Sequence, residues 1–114
     1  MKIQLKDIAY ARSGDKGSES NIGLIFKSIE HYNWAKDNIT QETVSKYFKD
    51  IARGGVLRYE LPNLLSFNFI LKDSLGGGGS GSLFHDAQGK THGQLLLMMD
   101  IEISKILFKE NEGD

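Results

Sequence analysis

The sequence predicts an α+β fold in which helices cover one face of a mainly antiparallel β-sheet. Several short runs of apolar residues are typical of strands, two longer segments carry helix caps and helical spacing, and turn residues separate them. In chain order, the predicted elements are β, β, α, β, β, α and β. A chain of 114 residues has the length of one domain.

The first half of the chain contains two predicted strands and a helical region. Apolar and polar residues alternate over residues 2–9, which predicts the first strand. The apolar run from Ile22 to Phe26 predicts a buried second strand. Residues 28–38 contain no glycine or proline and are expected to begin the helical region. A clearer helix follows, with Thr40 as its N-cap and the glycine pair at Gly54 as its end.

The second half begins with a predicted hairpin. Residues 56–61 and 64–71 read as two antiparallel strands, because each is rich in apolar residues and Pro62 begins a short turn between them. Residues 76–82, GGGGSGS, predict a loop.

A second helix is predicted from about Gln88, with its buried side formed by Leu95, Leu96 and Met99. Residues 100–103 alternate again and predict the last strand.

Without its first strand, the predicted order is βαββαβ, the ferredoxin-like arrangement. The prediction is therefore a ferredoxin-like sandwich with an additional N-terminal strand. Residues 1–108 are assigned to this single domain, and residues 109–114 to a polar, frayed C-terminal tail.

Composition argues against several functional classes. The 14 basic and 15 acidic side chains leave a net charge of −1, which creates no general field to attract nucleic acid or an anionic membrane. The absence of cysteine excludes disulfides, thiolate catalysis and cysteine-ligated zinc. No apolar run approaches the ~20 residues of a membrane helix, and charges interrupt the N-terminal segment where a signal peptide would be apolar. We therefore expect a cytoplasmic protein without nucleic-acid or membrane partners.

Known catalytic and cofactor motifs do not fit the sequence. Gly89 begins a GKT tripeptide, but the first glycine of a phosphate-binding P-loop is missing five residues earlier, where Phe84 stands. The three histidines are not spaced as metal ligands on one helix, and no GxSxG motif surrounds a serine. No metal or other cofactor is therefore expected.

The most unusual segment is AYARSGDKGSESNIG, which begins at Ala9 and mixes both charges with glycines. This composition predicts a long connection between the first two strands. Arg58 and Glu60 lie two apart on one strand face and are expected to pair, and Asn68 lies between two phenylalanines. One interpretation is a structural salt-bridge network that links Asp15 to Arg12 or Arg58; the other is a site that binds a ligand.

Three separated blocks make the chain similar to a known family. The first block follows the pattern AxARSGDKG with NIG, at Ala9 to Gly17 and Asn21 to Gly23. The second follows RYELP with NF, at Arg58 to Pro62 and Asn68-Phe69. The third is a glycine-rich segment before DxQGK, which lies at Asp86 to Lys90. This order resembles the AtuA-like ferredoxin-fold domain, the C-terminal domain of the acyclic-terpene-utilisation protein AtuA. The chain departs from the family at Ser18, where an acidic residue is common.

The resemblance implies a ferredoxin-like fold and a connection to proteins that handle acyclic terpenes as acyl-CoA thioesters, but it supplies no catalytic residues. AtuA carries a large domain before this one. The first hypothesis is therefore an accessory subunit or interaction module, acting with a separately encoded large AtuA-type protein or as a homo-oligomer. The alternative is part of an enzyme that handles acyl-CoA or small carboxylates, and catalysis itself stays open.

For this alternative, the sequence offers candidate residues in and around the ARSGDKG segment. Asp15 is the candidate proton carrier. The other candidates would bind a small anion through cationic or amide side chains and through glycine N–H groups: Arg12, Lys16, Arg58, Asn68, Gly76, Gly77 and Gly78.

Overall fold

The computed structural model describes the backbone of residues 1–16, 19–74 and 91–112, and the side chains of residues 1–14, 19–74 and 91–108. Six strands, four α-helices and two short 3-10 helices form this part of the chain. The strands are β1 (Lys2–Gln4), β2 (Ala9–Lys16), β3 (Glu19–Phe26), β4 (Val56–Leu61), β5 (Ser66–Leu71) and β6 (Asp100–Glu102). The helices are α1 (Ile29–Asn38), α2 (Gln41–Tyr47), α3 (His92–Leu97) and α4 (Lys105–Glu112).

The main sheet has four strands in the order β2-β3-β5-β4, and every neighbouring pair is antiparallel. This confirms the predicted α+β class with a mainly antiparallel sheet. The last strand, β6, lies outside this sheet and pairs with β1 in a separate two-stranded sheet. In the main sheet, β2 and not β6 forms the edge strand beside β3.

The predicted first strand at residues 2–9 is divided into two parts. A 3-10 helix at Leu5–Asp7 follows β1, and the Asp7 carboxylate accepts a hydrogen bond from the Gln4 N–H at 3.0 Å. The Leu5 side chain is fully buried, and its N–H donates to Met99 O at 2.9 Å. The strand alternation of this segment was therefore misleading, because a side-chain cap and a buried leucine turn the chain between β1 and β2.

The prediction of a long connection that begins at Ala9 is wrong for residues 9–16. Residues 9–16 form β2, which pairs with β3 over its whole length from Ala9 opposite Phe26 to Lys16 opposite Glu19. Glycine and charged residues have low strand propensity, so the sequence of β2 resembles a loop. The ladder with the apolar β3 overrides this local preference.

Helix starts follow the expected capping chemistry. The Thr40 hydroxyl accepts a hydrogen bond from Thr43 N–H at 3.2 Å, which confirms Thr40 as the N-cap of α2. Thr91 caps α3, so this helix begins at His92; its predicted start at Gln88 lies outside the described residues. Helix α4 was not predicted, and it includes the first four residues of the segment expected to be a frayed tail. Within the described ranges, no helix is long and apolar enough to cross a membrane.

The core lies between the main sheet and the helices. On β3 and β5, alternate residues face this core and are fully buried: Ile22, Leu24, Phe67, Phe69 and Leu71. The helix α1 contributes Tyr32, whose ring lies 5.1 Å from the Phe67 ring. The predicted buried residues of the α3 region, Leu95, Leu96 and Met99, are confirmed as part of this core. The residues between the core positions face the opposite side of the sheet, which we call the outer sheet surface.

His31 on α1 is a titratable group inside the core, with 2% of its surface exposed. Burial lowers the pKa of His31 below its ordinary value of 6.5, against a smaller opposing effect of a hydrogen bond to the Leu107 backbone and of nearby Glu30. Lys27 acts in the same direction as burial. The folded protein therefore favours neutral His31.

We expect this histidine to make stability fall under mildly acidic conditions. As pH falls below 6.5, His31 becomes protonated in the unfolded chain before it does so in the folded protein, so the free energy of unfolding decreases. Urea unfolding at a series of pH values from neutral to about 5 measures the slope, and His31→Gln should flatten it. Equal slopes for the two proteins would show that His31 does not cause the acid sensitivity.

Candidate functional site

The residues of the ARSGDKG segment lie on an edge strand. Arg12 is opposite Gly23, Asp15 is opposite Ser20, and Lys16 is opposite Glu19. The side chains of Asp15 and Lys16 lie outside the described part of the chain, so the expected ion pair of Asp15 stays a prediction.

One row of paired residues crosses the outer sheet surface and joins two of the predicted site residues. Arg12 is opposite Gly23, Gly23 is opposite Asn68, and Asn68 is opposite Tyr59. We call these four residues the Arg12 row. Because paired residues in an antiparallel sheet face the same side, Arg12 and Asn68 flank the position of Gly23. A Cβ atom added to Gly23 would meet no atom within 4 Å. The missing side chain leaves a gap between a guanidinium and an amide.

A second glycine in this region makes close contact with an amide side chain. A Cβ atom at Gly14 would lie 3.1 Å from Asn21 Oδ1, so the Asn21 side chain lies over the Gly14 backbone. Gly14 and Asn21 are partners in the β2–β3 ladder. Together, the two glycines and the two asparagines give the centre of the outer sheet surface a polar character.

The margins of the outer sheet surface are apolar. Tyr10 on β2 is 61% exposed, and Tyr59 and Leu61 on β4 are 53% and 41% exposed. The Lys27 ammonium lies 5.0 Å from the Tyr10 ring centre and makes a cation–π contact. Both edges of the sheet therefore present large side chains that could pack against another protein.

Arg58 and Arg12 lie on opposite faces of the main sheet. Arg58 is opposite Phe69 on the core-facing side, and its guanidinium donates to Lys36 O and Ile39 O, both at 3.0 Å. The predicted pair with Glu60 is confirmed at 3.3 Å. The guanidinium also lies 4.5 Å from the Phe67 ring centre. These contacts join β4 to the carboxyl end of α1, and the structure therefore does not bring Arg58 to the Arg12 row.

A shallow depression of about 400 Å³ lies beside this arginine. Its lining comes from the start of α2 and from β4, and consists of Thr40, Gln41, Glu42, Arg58 and Glu60. The two carboxylates offset the single guanidinium, which is already hydrogen-bonded. The depression therefore has no net positive charge to attract an anion.

A polar cluster that the sequence analysis did not identify lies on the core-facing side of β2 and β3. The Ser20 hydroxyl is 2.7 Å from His92 Nδ1 and 2.9 Å from the Ser74 hydroxyl. Beside it, the Ser13 hydroxyl accepts a hydrogen bond of 2.6 Å from the Gly93 N–H. We call Ser13, Ser20, Ser74 and His92 the serine-histidine cluster.

The Leu71 carbonyl, which accepts the last hydrogen bond of this series, determines which group donates in each of the others. Ser74 donates its hydroxyl hydrogen to the Leu71 carbonyl at 2.9 Å, because a carbonyl oxygen can only accept. Ser74 must then accept from Ser20, and Ser20 in turn must accept from His92. His92 therefore carries a hydrogen on Nδ1, which holds whether the imidazole is neutral or protonated.

The serine-histidine cluster has a structural role that its geometry explains. Ser20 is only 2% exposed, so its hydroxyl cannot reach a substrate as a nucleophile. It does connect Ser74, at the end of one described range, to His92, near the start of the next. Gly76, Gly77 and Gly78 lie between these ranges, outside the described residues. Across the described ranges, no three potential metal-binding side chains are close enough to hold an ion.

Sequence reasoning missed this cluster because its members are far apart in the chain. Ser20 lies 54 residues from Ser74 and 72 residues from His92. One signal was present: Thr91 and Gln94 form a capping box, which marks His92 as the first residue of a helix.

Comparison with known proteins identifies the family. The family model described as the AtuA ferredoxin-like domain matches residues 3–102. Neither the curated proteins nor the solved structures gave a significant match. The matched region contains the serine-histidine cluster and the whole main sheet, including β2 and the Arg12 row. The chain therefore belongs to the AtuA ferredoxin-like domain family.

Proposed function

We propose that this protein is an accessory subunit or interaction module, which acts with a larger AtuA-type protein or as a homo-oligomer. The observation that carries the proposal is the one-sided covering of the main sheet. The described helices pack on one face, while Tyr10, Tyr59 and Leu61 are exposed on the other. Aromatic residues at the margin of an exposed sheet are suited to packing against a second protein surface.

The internal contacts of the other candidate groups favour binding over catalysis. Arg58 is held by carbonyls and Glu60, and Ser20 is buried in hydrogen bonds with Ser74 and His92. These polar groups stabilise the fold. The exposed groups of the outer sheet surface are then the ones that remain for recognition.

Light scattering coupled to size-exclusion chromatography tests the proposal, with the protein alone and mixed with a large AtuA-type protein. We expect a complex or an oligomer, and Tyr10→Ser should weaken it about tenfold, as the loss of a buried interface tyrosine does. Ile106→Ser is the matched control, because Ile106 is 73% exposed but lies on α4, on the helical side. A wild-type chain that stays monomeric and ignores the larger protein would contradict the proposal.

The Arg12 row favours a second candidate function, the binding of a small anion as part of an enzyme that handles acyl-CoA or carboxylates. Arg12 and Asn68 are two strands apart, about 10 Å between backbones, with the gap over Gly23 between them. A guanidinium and an amide at this spacing can hydrogen-bond a carboxylate or phosphate.

Thermal-shift measurements with CoA esters and small carboxylic acids test this candidate. A ligand that raises the melting temperature of the wild type should not raise that of Arg12→Ala. Lys27→Ala removes a charge from Tyr10, outside the Arg12 row, and should keep the response. If none of the ligands raises the melting temperature of the wild type, anion binding at the Arg12 row loses its support.

A further inference from the structure

The two edges of the main sheet differ in how their outward backbone groups are used. On β3, Lys27 N–H donates to Ile8 O at 3.0 Å, and Phe26 N–H donates to Leu65 O at 2.9 Å. Successive residues of an antiparallel strand direct their backbone N–H and C=O groups alternately to the two sides of the strand. Since Lys27 bonds to Ile8, the even-numbered residues of β2 form the backbone hydrogen bonds to β3. The N–H and C=O groups of Ala11 and Ser13 therefore point away from the sheet.

At the opposite edge of the sheet, a side chain accepts a hydrogen bond from an outward-pointing backbone N–H. On β4, Arg58 N–H points outward and donates to the Gln41 side-chain oxygen at 2.9 Å. Such side-chain caps protect an edge strand from pairing with another chain. The backbone groups of Ala11 and Ser13 have no hydrogen-bond partner among the residues that the structure describes. Among the described residues, the β4 edge is thus capped at Arg58, whereas the β2 edge carries no such cap.

We infer that the uncapped edge of β2 pairs antiparallel with the same edge of a second copy of this chain. The inference rests on the proposed interaction function and names the partner and the surface. Pairing through one edge joins the two main sheets into a continuous sheet of eight strands. The Gln41 cap at Arg58 obstructs the same pairing at the β4 edge, so the assembly closes as a two-fold dimer.

Burial and charge select the register of this pairing. Ala9 is only 2% exposed, so a register that pairs Ala9 with the partner strand is obstructed. A register centred on Arg12 would place two guanidinium groups directly opposite each other, which is unfavourable. With the two-fold axis at Ser13, Ser13 pairs with its copy, Ala11 pairs with the partner's Asp15, and Arg12 pairs with the partner's Gly14.

The outer sheet surface supplies a complementary contact for this register. Gly14 has no side chain, and Asn21 Oδ1 lies 3.1 Å from the position where its Cβ would be. The Arg12 guanidinium of one copy therefore crosses the partner's Gly14 and meets an acceptor oxygen. Because the axis is two-fold, this donor–acceptor contact forms twice.

The lack of cysteine in the chain permits a sharp cross-linking test. Opposed residues of a hydrogen-bonded antiparallel pair have Cα atoms about 5.5 Å apart, within the range of a disulfide. Ser13→Cys should therefore form a covalent dimer on mild oxidation, and a reductant should separate it. Ala11→Cys is the matched control, because its two copies would be displaced by four residues along the strand, about 13 Å, and should not cross-link.

A second variant tests the hydrogen bonds without changing a side chain at the axis. Ala11→Pro removes an outward N–H that the β2–β3 ladder does not use, so the monomer should fold while light scattering shows loss of the dimer. Cross-linking through Ala11→Cys but not Ser13→Cys would overturn the inference. So would a dimer that Ala11→Pro leaves intact, although the proposed function would then stand. A monomer that binds a large AtuA-type protein overturns only the inference, and a monomer that does not bind it overturns both.

Discussion

Replacement of Gly93 by alanine is expected to reduce the free energy of unfolding by about 2 kcal/mol, because the new methyl group has no room. Its Cβ would lie 2.5 Å from Ser13 Oγ and 3.3 Å from Ala11 Cβ. The serine can rotate, but it then loses the hydrogen bond from Gly93 N–H. An alanine in a helix gains only about 0.5–1 kcal/mol over glycine, which is less than the combined cost.

Urea unfolding measures this effect, and two further variants assign its cause. Gly23→Ala is the matched control, because a methyl group there meets nothing within 4 Å, and its effect should stay within about 0.5 kcal/mol. In a Ser13→Ala background, Gly93→Ala should cost less, since the Oγ atom is gone. An unchanged cost in that background would attribute the destabilisation to Ala11 rather than to Ser13.

This contact matters for the serine-histidine cluster as well as for stability. Gly93 follows His92 in α3, so the close approach of α3 to β2 also places the imidazole beside Ser20. A bulkier residue at 93 should therefore separate α3 from the sheet and disturb the chain of hydrogen bonds that ends at Leu71.

Sequence patterns predicted those parts of the fold that local chemistry determines. The strand at 56–61, its partner up to Leu71 and the turn at Pro62 agree with the structure, because alternation and a proline act over a few residues. The N-cap at Thr40 is similarly local. The family resemblance, confirmed over residues 3–102, came from short blocks that do not depend on knowing the fold.

The errors arose where distant parts of the chain determine the structure. β2 reads as a loop by itself and becomes a strand through its ladder with β3. β6 has the alternation of a strand, but alternation does not show that its partner is β1. The sequence indicates both Arg12 and Asn68 as candidate site residues, but only the sheet register shows that they share a row and that Arg58 lies outside it.

Arg58 provides the clearest distinction between a binding residue and a structural one. Arg58→Ala is expected to reduce the free energy of unfolding by about 2–4 kcal/mol, because charged hydrogen bonds to two backbone carbonyls are lost together with an aromatic contact. Its side chain is only 15% exposed, and the two carbonyls of Lys36 and Ile39 would lose their donor. These acceptors lie at the negative end of α1, where a cation is favourable.

Chemical denaturation of three variants separates the possible roles of this residue. Arg58→Lys keeps the charge but has no planar fork for two carbonyls and Glu60, so it should recover less than half of the lost stability. Arg12→Ala, on the exposed outer sheet surface, is the matched control and should change stability by less than about 0.5 kcal/mol. If Arg58→Ala unfolds at the wild-type midpoint but abolishes a ligand-induced thermal shift, Arg58 belongs to a binding site. The geometry instead predicts that Arg58 stabilises the junction of β4 and α1.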